Sequence, residues 1–273
     1  MIYSSSPGNN SVDYYLKGTG PHNPVAGSLA GNLSTPQGIG VDQQRNVYVA
    51  NAEGQNVLVY ANGSTSPTGT LEDPDKFPID VAVGSDGTVY VANGSGPMFG
   101  SGNVVVYPRG ASEPTQTLNN KHFLHVAGVA LDKGGNLFVS YNAALGSGAG
   151  GVVEFKAPAF THTVNMRITL ENAAGVGFDR AGHLLVIDQN IPSLNVYNVG
   201  RRTPVATLPL PGASWFFAFN QDSSRLYVAD YALGEIDVFR YRPTALKQTN
   251  KITNGITASN TNFGVADTPV QRL

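Results

Sequence analysis

One phrase recurs along this chain every roughly 42 to 48 residues, and that spacing constrains the fold more than any other feature. Its clearest copy runs Pro36-Gln37-Gly38-Ile39-Gly40-Val41-Asp42, then Asn46-Val47-Tyr48-Val49-Ala50-Asn51, then Asn56-Val57-Leu58-Val59-Tyr60, then 67–71. The second copy has its four runs at 79–83, 89–93, 104–107 and 114–118, and the third at 128–132, 137–139, 152–155 and 167–170. The fourth occupies 175–179, 184–188, 194–197 and 204–208, and the fifth 217–220, 226–230, 236–239 and 247–252.

Runs this short cannot make helices, and their Val, Ile, Tyr and Phe content favours strands. Between the first and second runs stand turns such as Asp132-Lys133-Gly134-Gly135 and Asp179-Arg180-Ala181-Gly182, where Asp starts the turn and Gly supplies positive φ. A four-strand unit repeated at this period is the blade of a β-propeller. We label its runs a to d from the axis outward. The ends complete the count. Phe263-Gly264-Val265-Ala266-Asp267 matches run a, and Ile2-Tyr3-Ser4-Ser5, Val12-Asp13-Tyr14-Tyr15 and 24–29 match runs b, c and d. The tail lacks what the head carries. The expected fold is therefore an all-β, six-bladed propeller over residues 1–273, with a last blade made by 262–267 plus 1–30. Such closure removes open sheet edges.

Composition agrees. Of the 273 residues 41% are hydrophobic and 13% charged, with abundant Gly and Pro, which suits short strands and tight turns rather than disorder. A net charge of −2 offers no footprint for nucleic acid. No apolar run reaches the ~18 residues of a membrane-spanning helix. There are no cysteines, hence no disulfide scaffold and no thiolate metal site. The low Lys content and the wealth of Ser, Thr, Asn and Gly lean towards an extracytoplasmic, secreted monomer. No signal segment opens the chain, whose strand-like start fits removal of a leader.

The pattern Gly-Val/Ile-x-x-Asp, Val-Tyr-Val-Ala-Asn/Asp, Val-x-Val-Tyr/Phe resembles the NHL repeat, and is similar to six-bladed relatives such as the gluconolactonase (senescence-marker) family. The resemblance spans nearly the whole chain and implies the fold. Its relatives include hydrolases, lyases and lactonases, and binders of proteins, RNA or carbohydrates. Gluconolactonase-like enzymes hold a divalent cation with a Glu, two Asn and an Asp at the channel mouth. The resemblance puts Asp80, Asn172 and Asn93 in comparable places, with no Glu at the run-a entrance. The His and Glu pair of streptogramin lyases is not evident.

Loops d–a and b–c of a propeller emerge on one face, so the entrance to run a is where a site is expected. The common residue there is Gly (Gly38, Gly128, Gly175, Gly264), replaced by Asp80 and Phe216. One position earlier stand Gln37, Ile79, Ala127, Ala174, Trp215 and Phe263, and further out His125 and Asn172. Asp80 can bind Ca²⁺ or another divalent cation or act as a general base, or else cap backbone N–H groups of a neighbouring loop. His125, with His122 three residues before it, can supply a base or imidazole ligands, or be structural. Trp215-Phe216-Phe217 can stack on a flat ligand or plug the channel. Asn51, Asn93, Asp188 and Asp230 end run b and suit a repeated hydrogen-bonding job at the b–c turn.

Gly146-Ser147-Gly148-Ala149-Gly150-Gly151 has G-x-G-x-x-G spacing but precedes a strand, so it reads as a b–c loop, like the stretch 94–102 one blade earlier. The expectation is a binding or scaffold propeller taking a small molecule, glycan or protein at the mouth face. The alternative is a metal-dependent lactonase or esterase, and a third reading is a structural propeller within a larger assembly.

Overall fold

The computed structural model describes residues 1–17, 23–95, 100–143, 149–256 and 262–268. Three strands open the chain: β1 (Ile2–Ser6), β2 (Ser11–Tyr15) and β3 (Val25–Ser28). Blade one follows with β4 (Pro36–Val41), β5 (Val47–Asn51), β6 (Asn56–Tyr60) and β7 (Gly69–Glu72). Blade two has β8 (Pro78–Val83), β9 (Val89–Asn93), β10 (Asn103–Tyr107) and β11 (Gln116–Leu118). Blade three has β12 (His125–Leu131), β13 (Leu137–Asn142), β14 (Gly151–Phe155) and β15 (Thr163–Asn165). Blade four has β16 (Ala173–Phe178), β17 (Leu184–Asp188), β18 (Ser193–Tyr197) and β19 (Ala206–Pro209). Blade five has β20 (Ser214–Phe219), β21 (Arg225–Asp230), β22 (Glu235–Arg242) and β23 (Ala245–Ile252), and β24 (Val265–Asp267) comes last. Every blade is a four-stranded antiparallel sheet in chain order, except that β24 is the inner neighbour of β1 in the sixth.

That closure is specific in register. Ile2, Tyr3 and Ser4 oppose Asp267, Ala266 and Val265. The terminal ammonium of Met1 donates to Thr268 Oγ1 at 2.7 Å, and Lys17 pairs with Asp267.

Six apolar clusters hold the ring together, one in each gap between blades. Strand β9 shows how the sequence produces this. Val89 and Val91 face blade one, and Tyr90 and Ala92 face blade three. Side chains alternate across a strand. Because blades flank both faces, both sets are apolar and the runs look uniformly hydrophobic. Each Val, Leu, Ile or Phe so buried stabilises the fold by about 1.5–3 kcal/mol.

The a–b turns follow from their Asp. Asp132 Oδ1 accepts from the N–H groups of Gly134 and Asn136 (2.8 and 2.9 Å) while Oδ2 accepts from the Asn136 amide. Asp42 holds Asn46 in the same way. One run needs correction. The outer strand of blade three is Thr163–Asn165, not 167–170. Arg167 has φ 53°, a left-handed conformation that ends the extended run before the expected segment begins.

Candidate functional site at the channel mouth

The inner strands β4, β8, β12, β16 and β20 each carry a register step near their start, at Pro36/Ile39, Pro78/Asp80, Val126/Gly128, Ala173/Val176 and Ser214/Phe217. A bulge bends the strand and re-aims side chains. The glycines at these steps let neighbouring inner strands touch. A Cβ on Gly38 would stand 2.8 Å from Asp80 Cα, and one on Gly175 would stand 2.7 Å from the Trp215 carbonyl oxygen.

Asp80 sits in this belt, 7% exposed. Its Oδ1 accepts from the N–H of Val81 and its Oδ2 from that of Val129 on the next blade, each at 2.9 Å. Burial pushes its carboxyl up to about 7, against the pull of those two bonds. The carboxylate thus ties blade two to blade three. His125 is likewise buried, and its Nδ1 accepts from the Ser95 N–H at 3.2 Å. Burial lowers its pKa to about 4, so the ring is neutral at physiological pH. His122 points elsewhere, stacked on Tyr141 with centroids 5.2 Å apart at 24°. The two imidazoles serve different neighbours and form no pair.

Asn172 is buried, and its amide donates to Gln189 Oε1 at 2.7 Å. Gln189 in turn donates to the Ser214 carbonyl on blade five at 3.2 Å. The Asn93 amide donates to Asn103 Oδ1 at 3.0 Å. The hydrogen bonds of Asp80, Asn93 and Asn172 thus run to different partners, and Asn93 Oδ1, the atom an Asn offers a cation, is buried without a partner. Among the described residues no group of three His, Asp or Glu has metal-binding geometry. The residues ending run b hold loops. Asn51 Oδ1 accepts from the Ser34 N–H at 2.6 Å, and Asp188 accepts from those of Glu171 (2.8 Å) and Asn172 (3.1 Å).

The aromatic run of blade five divides three ways. Phe216 is buried in the glycine belt, its Cα 3.1 Å from where a Cβ on Gly175 would lie. Phe217 packs into the gap with blade four, against Gly177. Trp215 also packs against the apolar cluster of that gap, at the loop end of β20, and meets two further rings. Its ring lies 5.4 Å from Phe263 and 6.3 Å from Tyr231, which is itself 5.8 Å from Phe263. All three rings are half-buried. Gln37 closes the seam beside them, buried, its carbonyl accepting from Ser5 Oγ at 2.5 Å.

Tyr231 was not singled out from the sequence. Its signal was there: it follows run b where other copies have Ala52, Gly94 and Gln189. Around the trio, the same loop face exposes Leu124, Ile191 and Leu233, each more than half accessible. Of the two Gly-rich loops, residues 96–99 and 144–148 lie outside the described residues.

No protein-family model and no curated protein matches this chain. Solved structures do. A chain of the crystallised nidogen–laminin complex superposes with a TM-score of 0.77 at 12% identity, over 97% of each chain. Hydrazine synthase of Kuenenia stuttgartiensis gives 0.63 at 19% identity, covering 86% of this chain and 71% of that one. A gluconolactonase from Xanthomonas campestris gives 0.56 at 18%, covering 72% and 70%. The chain is a six-bladed β-propeller. At such identities the likeness reaches the fold alone, and this propeller's role rests on its own residues.

Proposed function

We propose that this propeller is a binding or scaffold protein, working outside the cytoplasm, whose mouth face receives a partner with a flat apolar surface, such as a sugar ring or a protein side chain. The observation that carries this reading is the Trp215–Tyr231–Phe263 trio, three half-buried rings gathered at the mouth. Exposed Leu233, Ile191 and Leu124 extend that apolar character across blades five, four and three. The polar residues nearby, Asp80, His125 and Asn172, are already bonded within the fold. One structural neighbour comes from a protein–protein complex, which supports the same use of the fold.

Trp215 is the sole tryptophan, so its fluorescence reports directly on the mouth. A ligand found on a glycan or peptide array should shift that emission. It should bind Trp215→Leu about tenfold to a hundredfold more weakly, as expected for an aromatic anchor. Silence across the arrays together with robust turnover of lactones or esters would reject the reading.

A further inference from the structure

A second concavity lies on the mouth face at the edge of blade three, across the ring from the sixth blade. It is a cleft of about 450 Å³, within the range of small-ligand sites. Lys121, His122 and Leu124 line it from the segment before β12, Tyr141 from the end of β13, and Asn165 and Arg167 from the outer edge. The left-handed turn at Arg167 that ends β15 early also makes this wall.

The chain carries a net charge of −2, yet the described lining of this cleft contains two fixed cations and no carboxylate. Lys121 and Arg167 are exposed. Neither side chain makes an ion pair among the described residues. The floor is built rather than accidental. His122 stacks on Tyr141, and the Asn165 amide donates to Tyr141 Oη at 3.2 Å while its Oδ1 accepts from the Arg167 N–H at 2.7 Å. The phenol lies against Gly151, where a Cβ would stand 2.8 Å from Tyr141 Oη. This gives a physical use to the last glycine of the Gly-rich loop. Tyr141 accepts through its oxygen and keeps its own proton to donate.

Three requirements on a ligand follow. Unpaired cations call for an anion. The imidazole and Leu124 call for a C–H face. The phenol O–H calls for an acceptor such as a hydroxyl. We propose that this cleft binds an acidic sugar unit, with its carboxylate on Lys121 and Arg167 and its ring over His122.

The test is calorimetric titration of the whole chain with digalacturonate, in low and high salt, beside neutral galactobiose and triglutamate peptide. Digalacturonate should bind and weaken as salt rises, while galactobiose and triglutamate bind at least about tenfold more weakly. Lys121→Gln and Arg167→Gln should each cost about tenfold, a charged hydrogen bond's worth, and Trp215→Leu should leave binding unchanged. Both cations are exposed, so thermal melts should coincide with that of the parent protein. Lack of digalacturonate binding at millimolar concentration overturns the proposal. So does equal binding of galactobiose or triglutamate, or full affinity in the Lys121→Gln, Arg167→Gln double variant.

Discussion

Blades two to four and blades five to six close the same channel mouth with different chemistry. On the first side the seams are hydrogen bonds: Asp80 to the Val129 N–H, His125 to Ser95, and Asn172 through Gln189 to Ser214. On the second side they are rings: Phe216 in the glycine belt, with Trp215, Tyr231 and Phe263 above it. Asp80 and Phe216 depart from glycine at the same repeat position, and both are buried as ties between blades. Departure from a repeat therefore does not by itself mark a site. What separates the two sides is what remains accessible. The polar side has both Asp80 oxygens, His125 Nδ1 and the Asn172 amide engaged, though His125 Nε2 is not, while the aromatic side leaves half-buried apolar surface at the mouth.

Returning each departure to the repeat's glycine breaks the comparison most directly. Phe216→Gly removes a buried ring and should cost the most, about 3–5 kcal/mol on the scale of buried Phe truncations. Asp80→Gly strips the acceptors from two buried N–H groups. It should cost less, about 2–3 kcal/mol at pH 5, since each unsatisfied group costs about 1–3 kcal/mol and water can enter the space left. Both are read from urea unfolding. If Asp80→Gly proved as stable as the parent protein, the polar seam would be ornamental and the carboxylate free for another role.

The sequence carried the ring readily and the mouth only in part. Strands and closure were legible because β9-like runs are flanked on both faces, and because head and tail lacked complementary pieces. The outer strand of blade three was misplaced, since nothing in Met166-Arg167-Ile168 distinguishes a strand from a left-handed turn without its partner. Asp80 stood out as a departure from the repeat's glycine, Trp215 as part of an aromatic run, and Phe263 as the residue at Trp215's repeat position. Their separate fates were not legible, because they depend on which atoms meet across a blade gap. Val129 lies 49 residues from Asp80 and no local pattern links them. Tyr231 escaped because its neighbours at that position vary in size.

The smallest expected effect concerns a carboxylate with less complete bonding than Asp80. Asp237 in β22 is fully buried, accepts from Gln248 Nε2 at 2.5 Å through Oδ1, and has no partner for Oδ2. Burial, then the nearby Asp230 and Glu235, push its carboxyl up to about 8, as burial pushes Asp80 to about 7. Both lie above the unfolded value of 3.8, so the folded state holds these protons more tightly. The stability they supply is whole below that value and is lost as pH climbs through about 7 and then about 8. Asp179 has the opposite sign, its pKa lowered chiefly by its His183 bonds against burial, and acts only as pH falls. Between pH 7 and 8 the two carboxyls together should lower stability by about 1.4 kcal/mol, most of it from Asp237, against a smaller opposite contribution from the Met1 ammonium, whose pKa burial lowers. Asp237→Asn keeps an acceptor for Gln248 and cannot ionise, so it should flatten that slope and leave the acid limb untouched. A slope unchanged in Asp237→Asn would assign the upper titration to Asp80, making the well-bonded carboxylate, and not the poorly bonded one, the group that limits the fold at high pH.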